Sequence, residues 1–201
     1  MKKIFALIVL TFIANSGFAQ NNNPADAVIT FIDRLGNKII SIAAEKNISE
    51  EIKKQKIIAE IDRTIDSDWI GRFVLGKNYK DASDEQKSRF MDLYRQFMIN
   101  TYGPKFKNYN GKSFKVISVD QQSGFYVAKC EFTPKDSNTS IDVQFRVKER
   151  NGKLVVLDFV TEGISLIETQ RSEFNSAISE KGMDKFIADL SKRVQDLKLK
   201  K

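Results

Sequence analysis

The hydrophobic positions along the chain fall into two regimes. From Pro24 to about residue 102 they recur at helical spacing. Val28, Phe31, Ile32, Leu35, Ile39 and Ile42 mark a first helix, which Asn23-Pro24 can start. Asn47 to Glu50 offers an N-cap for a second helix, with Ile58, Ile61 and Ile65 on one face. Asp66 to Leu75 reads as a short helix carrying Trp69 and Phe73, with Gly76 as its stop. Ser83 to Gln86 has the form of a capping box and opens a long helix with Phe90, Leu93, Tyr94 and Phe97 on its apolar face. Gly103-Pro104 is expected to end or bend that helix.

After Gly111 the period changes to two. Strands are expected over 113–120, 125–133, 140–150 and 153–162, with short links and a hairpin signal at Asn151-Gly152. In the second strand Tyr126, Ala128, Cys130 and Phe132 share a face. In the third, Ile141, Val143, Phe145 and Val147 point inward. The fourth, with Leu154 to Leu157, Phe159 and Val160, shows little alternation, as expected for a strand covered on both faces. Helices over 165–179 and 183–197 close the chain. Helices, a meander and more helices give an α+β class: a twisted antiparallel sheet of about four strands wrapped by helices, able to form a cone around an internal apolar cavity.

The first residues carry a different message. Lys2 and Lys3 precede an apolar run from Ile4 to Ala14, and Gly17-Phe18-Ala19 places small residues where a signal peptidase reads. The run is about half of the roughly 20 residues a spanning helix needs. The expectation is a cleaved signal peptide over 1–19, export to the periplasm, and a single domain over 20–201.

Composition narrows the chemistry. The 201 residues contain no His and one Cys, Cys130, which excludes Ser-His and Cys-His catalysis within the chain, an internal disulfide and the usual zinc ligand sets. Cys130 reads as a packing residue. The formal net charge of +7 comes from scattered Lys and Arg without a nucleic-acid-binding motif, so no nucleic-acid partner is expected. There is no Gly-rich phosphate loop. One catalytic reading remains: Asp158 in the apolar fourth strand, sharing a cavity with Tyr94 and Tyr126, could move protons. The plainer reading has Asp158 hydrogen-bonded or paired with Arg171.

Two segments carry a family likeness. One is Thr161 to Phe174, TEGISLIETQRSEF. The other runs from Phe73 through Leu75-Gly76, Tyr79, Gln86, Phe90 and Tyr102. Together they resemble the MlaC family, also described as toluene-tolerance auxiliary proteins. Departures are Leu154 where the family often has Trp, Leu157 where it often has Tyr, and Thr169-Gln170 in place of an Asn-Tyr pair.

The resemblance implies a cystatin-like cone and a periplasmic carrier, not an enzyme, with no cofactor and with bound phospholipid as cargo. It implies a monomer exchanging lipid between an outer-membrane lipoprotein-porin complex and an inner-membrane MCE-domain/ABC-transporter complex, maintaining outer-membrane lipid asymmetry. Cavity candidates are Trp69, Phe73, Phe97, Phe145, Val156, Phe159, Val160 and Ile164, with Phe97 and Phe145 facing the wall formed by the fourth strand. Glu162, Gly163, Ser165 and Arg171 form a corner at the pocket mouth or a structural joint. There Gly163 permits the turn, Ser165 caps the next helix, and Arg171 is expected within reach of Asp158 or Glu162. The alternatives are a periplasmic adaptor without lipid cargo and a cone-fold enzyme built on Asp158.

Overall fold

A computed structural model describes residues 23–102 and 111–199. The expected export signal and the Gly103-Pro104 stop lie outside these residues. The element order is α1 (Pro24–Ala43), α2 (Glu50–Thr64), α3 (Ser67–Leu75), α4 (Asn78–Asp81), α5 (Asp84–Tyr102), β1 (Gly111–Gln122), β2 (Phe125–Pro134), β3 (Ile141–Arg150), β4 (Lys153–Thr161), β5 (Ile164–Ser165), α6 (Leu166–Lys181) and α7 (Met183–Leu199). The class is α+β, as expected. The sheet is a simple antiparallel meander, β1-β2-β3-β4-β5, with one strand more than the pattern suggested. β5 has only two residues, too few to register as a period of two.

The helices begin where the sequence provides acceptors for their free amides. Asn23, Ser49, Asp66 and Ser165 each accept a backbone N–H from the first turn of the helix that follows. At α5 the capping box closes reciprocally: Ser83 Oγ accepts from Gln86 N at 3.1 Å and Gln86 Oε1 from Ser83 N at 2.9 Å. On α2 the buried stripe is Lys54, Ile57 and Thr64, with Ile58, Ile61 and Ile65 only partly buried. Ile65 leaves the helix to pair with Val156 of β4, and this displaces the stripe from the isoleucine face.

The core is divided. One apolar cluster joins α3, α5, α6 and α7 around Phe90, Tyr94, Phe97, Phe174 and Phe186. The other lies between α1 and one face of the sheet: Val28, Ile32 and Leu35 meet Phe114, Ala128, Cys130, Phe132, Val143, Val147 and Val156. Ile65 packs against both. α1 approaches β1 closely because Gly36 has no side chain; a Cβ there would lie 2.2 Å from Phe114 Cδ1.

The fourth strand departs from simple alternation for a structural reason. Asp158 pairs with Arg146 and Val156 with Val147, so Leu157 is an extra residue in a β-bulge. The bulge resets the pleat. Val156 and Phe159 therefore share the face toward α1, while Asp158 and Val160, opposite Arg146 and Gln144, turn to the other face.

Candidate functional site

On the α1 side of the sheet an aromatic row crosses the strands. Phe114 and Phe145 meet edge to face at 6.2 Å between ring centroids, and Phe145 and Phe159 at 5.4 Å. α1 packs on β1 and β2. The β3-β4 half of the same face carries Phe145, Phe159 and Leu154, which are only partly buried. Val156, at 6% exposure, closes the face beside Ile65.

The eight cavity candidates do not gather on one wall. Phe145, Val156 and Phe159 belong to the sheet face. Trp69, Phe73 and Phe97 belong to the helical cluster, so Phe145 meets the fourth strand at Phe159 but Phe97 does not join it on that wall as expected. Trp69 stacks on Phe73 at 5.1 Å, and Phe97 packs against Phe174 with the Arg193 guanidinium 4.7 Å from its ring centroid. Val160 is buried on the far face because of the Leu157 bulge. Ile164 is 61% exposed: it sits on two-residue β5 at the sheet edge, where nothing encloses it.

The Glu162 to Arg171 corner forms a joint between sheet and helix. Glu162 and Gly163 both take positive φ, 52° and 76°, which folds β5 back on β4. That return places Ser165 beside Asp158. Ser165 Oγ donates to Asp158 Oδ2 at 2.6 Å and accepts the α6 amide of Glu168 at 3.1 Å. Asp158 Oδ1 accepts from the Ile167 amide at 3.3 Å, and Arg146 bridges Asp158 and Glu168 at 3.5 and 2.5 Å. Burial pushes the Asp158 carboxyl above its ordinary range; the Ser165 hydroxyl, the Ile167 amide and the Arg146 charge pull the other way.

Arg171 does not reach Asp158, as the sequence suggested it would; Arg146 takes that place. The bulge aligns Arg146 with Asp158 across the ladder, while Arg171 lies one and a half turns into α6 and points to α3. There its Nη1 donates to the Phe73 carbonyl at 2.7 Å, and its guanidinium lies 4.6 Å from the Phe73 ring centroid. Asn175 donates to the Val74 carbonyl at 2.8 Å and Asn78 to that of Leu75 at 3.3 Å. Three carbonyls at the end of α3 thus receive side-chain donors, two of them from α6. Asn175 does not stand out in sequence, because its partner is a tertiary neighbour.

The arrangement has little to offer acid-base chemistry. Asp158 is 2% exposed and its oxygens are engaged. Tyr126 packs with the α1-side cluster, on the opposite face from Asp158. The Tyr94 hydroxyl donates to Gln170, whose amide nitrogen meets Met98 Sδ at 3.1 Å. Burial raises the Tyr94 phenol, with Tyr102 and Asp158 adding to the effect. Cys130 is buried and its thiol is pushed up to about 12, mainly by burial. Among the described residues no group of His, Cys, Asp and Glu could hold a metal ion, and no helix is long and apolar enough to cross a membrane.

Comparison with known proteins covers most of the chain. The family model described as MlaC protein matches residues 33–192. The intermembrane phospholipid transport system binding protein MlaC of Haemophilus influenzae is 22% identical over 130 residues, 63% of this chain and 61% of its own length. Toluene tolerance protein ttg2D of Pseudomonas putida is 22% identical over 121 residues, 60% of this chain and 56% of its own length. The chain therefore spans about three fifths of the length of these curated relatives. A phospholipid-binding protein from Ralstonia solanacearum, solved in complex with a phospholipid, has a TM-score of 0.71 to this chain at 18% identity. The match covers 86% of this chain and 97% of that one, and it establishes a shared fold.

Proposed function

The chain belongs to the MlaC protein family, and from that premise we propose that it is a soluble carrier that holds a phospholipid by its acyl chains. The observation that carries the reading is the half-covered apolar sheet face, where α1 packs on β1 and β2 while Phe145 and Phe159 remain partly open. Exposing two acyl chains of ordinary length to water costs on the order of 20 kcal/mol at about 0.8 kcal/mol per methylene. A carrier must cover most of that area, and a largely aromatic and aliphatic face provides the means. The phospholipid bound to the Ralstonia relative supports the same use of the fold.

The fuller reading follows from the family. Residues 1–19 direct export and are removed, and residues 20–201 form one lipid-binding domain in the periplasm. The carrier works as a monomer without a cofactor. It exchanges lipid between an outer-membrane lipoprotein-porin complex and an inner-membrane MCE-domain/ABC-transporter complex, maintaining outer-membrane asymmetry. No step of this work requires covalent chemistry.

A loading assay with a fluorescent phospholipid tests the site. Phe159→Glu puts a charge on the open half of the face and is expected to lower loading by at least about tenfold, since a desolvated carboxylate costs more than 1.4 kcal/mol. Ile164→Glu, on the exposed edge, is expected to leave loading unchanged. Equal loading by the two folded variants would remove the sheet face from the account.

A further inference from the structure

Six large apolar side chains are exposed among the described residues, and three of them gather at one end of the molecule: Ile164 at 61%, Ile52 at 44% and Ile141 at 41%. The strand register places two of the three. Val143 pairs with Thr161 and Thr161 with Ile164, while Ile141, two residues before Val143, pairs with Phe132. Directly paired residues share a face of the sheet. Ile141 on β3 and Ile164 on β5 therefore flank Thr161 on the face that carries Phe145 and Phe159. Chain connectivity brings the third. Ile40, near the end of α1, meets this end of the sheet, since a Cβ on Gly111 would lie 2.8 Å from both Ile40 Cγ1 and Phe132 Cε2. α2 begins after a link of six residues, with Ile52 in its first turn, and runs to the opposite end, where Ile65 pairs with Val156.

The two ends of the apolar face thus differ. Ile65 and Val156 close one. The other is bordered by exposed aliphatic side chains and by the Glu162-Gly163 turn, where a Cβ on Gly163 would meet no atom within 4 Å. Single apolar residues scattered over a surface are ordinary, but a group at the end of one apolar face marks a contact. The group is small. Its exposure amounts to about one and a half fully exposed isoleucines, whereas a stable protein–protein interface takes roughly 800 Å² from each partner. A bilayer sets no such minimum, because each aliphatic side chain that enters the acyl region adds its own transfer free energy. The links and turns at this end carry mixed charges, Lys46 and Lys135 against Asp136 and Glu162, so the attraction is apolar rather than to an anionic headgroup.

We propose that Ile52, Ile141 and Ile164 form an apolar rim that dips into the surface of a phospholipid bilayer, and that acyl chains enter and leave the sheet face past it. The proposal rests on the carrier reading. A chain that passes the rim stays against apolar surface instead of crossing open water. The rim lies outside the face that holds the chains, so it governs the rate of exchange with a membrane and not the amount of lipid held at equilibrium.

The test separates rate from capacity. Protein stripped of lipid is mixed with phosphatidylcholine vesicles carrying a fluorescent phospholipid, and the rate of uptake and the amount held at equilibrium are both measured. The combined substitutions Ile52→Gln, Ile141→Thr and Ile164→Thr are expected to slow uptake by at least about tenfold, well within what burying these side chains is worth, and to leave the equilibrium amount as in the wild type. A second measurement reads the contact itself. Ile164→Trp is expected to shift its emission to the blue and to be quenched by brominated phosphatidylcholine vesicles, while Ile117→Trp, on β1 away from the rim, is not; both are read against the wild type, whose Trp69 they share. Uptake at the wild-type rate by the triple variant, or Ile164→Trp emission indifferent to vesicles, would overturn the rim. Loss of rate with an equal loss of capacity would assign these side chains to the site or the fold and overturn it too. Self-association of the wild type that the triple variant lacks would give the patch to a second copy of the chain in place of the bilayer. Wild-type protein that holds no phospholipid at equilibrium would overturn the carrier reading itself.

Discussion

Ser165 holds Asp158 and the start of α6 with one hydroxyl, donating to Asp158 Oδ2 at 2.6 Å and accepting from the Glu168 amide at 3.1 Å. The last full strand and the helix after it are thereby fixed to each other through a single oxygen. Ser165→Ala removes a helix cap and one donor to a buried carboxylate. Each is worth about 1 kcal/mol, and a loss of about 2 kcal/mol is expected in urea unfolding, with the urea dependence unchanged. A loss under about 0.5 kcal/mol, the ordinary range for surface substitutions, would mean the hydroxyl does not join the two elements.

Asp158 itself makes stability depend on pH in a defined direction. Its carboxyl titrates above the ordinary range in the folded protein, chiefly through burial, so the folded state holds the proton more tightly than the unfolded chain. The resulting stabilisation is complete below the unfolded carboxylate pKa of about 4 and is lost as pH rises through the raised folded value. Wild type is therefore expected to lose stability relative to Asp158→Asn as pH rises from about 4 through the raised folded value. Urea midpoints of both proteins across that range measure it, and a gap independent of pH would refute the expectation.

The close contact of α1 with the sheet depends on Gly36. Its substitution by Ala would set a methyl group 2.2 Å from the Phe114 ring, and overpacking of this kind costs about 1–3 kcal/mol. Phe114→Leu in the same chain is expected to recover part of the loss, giving a coupling energy of at least about 0.5 kcal/mol in a double-mutant cycle. Strict additivity would show that Gly36 and Phe114 are not in contact.

The elements were legible in the sequence wherever a short-range rule governs them. The caps at Asn23, Ser49, Asp66, Ser83 and Ser165, the period-two face of Tyr126, Ala128, Cys130 and Phe132, and the Glu162-Gly163 turn follow from residues within a few positions of one another. The wall of the site was not legible, because the Leu157 bulge divides an apolar run that reads as continuous. It puts Phe159 on the same face as Val156 and turns Val160 away. The partner of Asp158 was missed for the same reason: cross-strand register, invisible in one sequence, brings up Arg146 and leaves Arg171 to cap α3.

The central claim is that this chain carries phospholipid, and the most direct measurement is of what leaves the cell with it. Protein expressed from the full sequence, purified without detergent and extracted with organic solvent, is expected to yield phospholipid by mass spectrometry at close to one molecule per folded domain. Repeated preparations of folded protein free of lipid would contradict it.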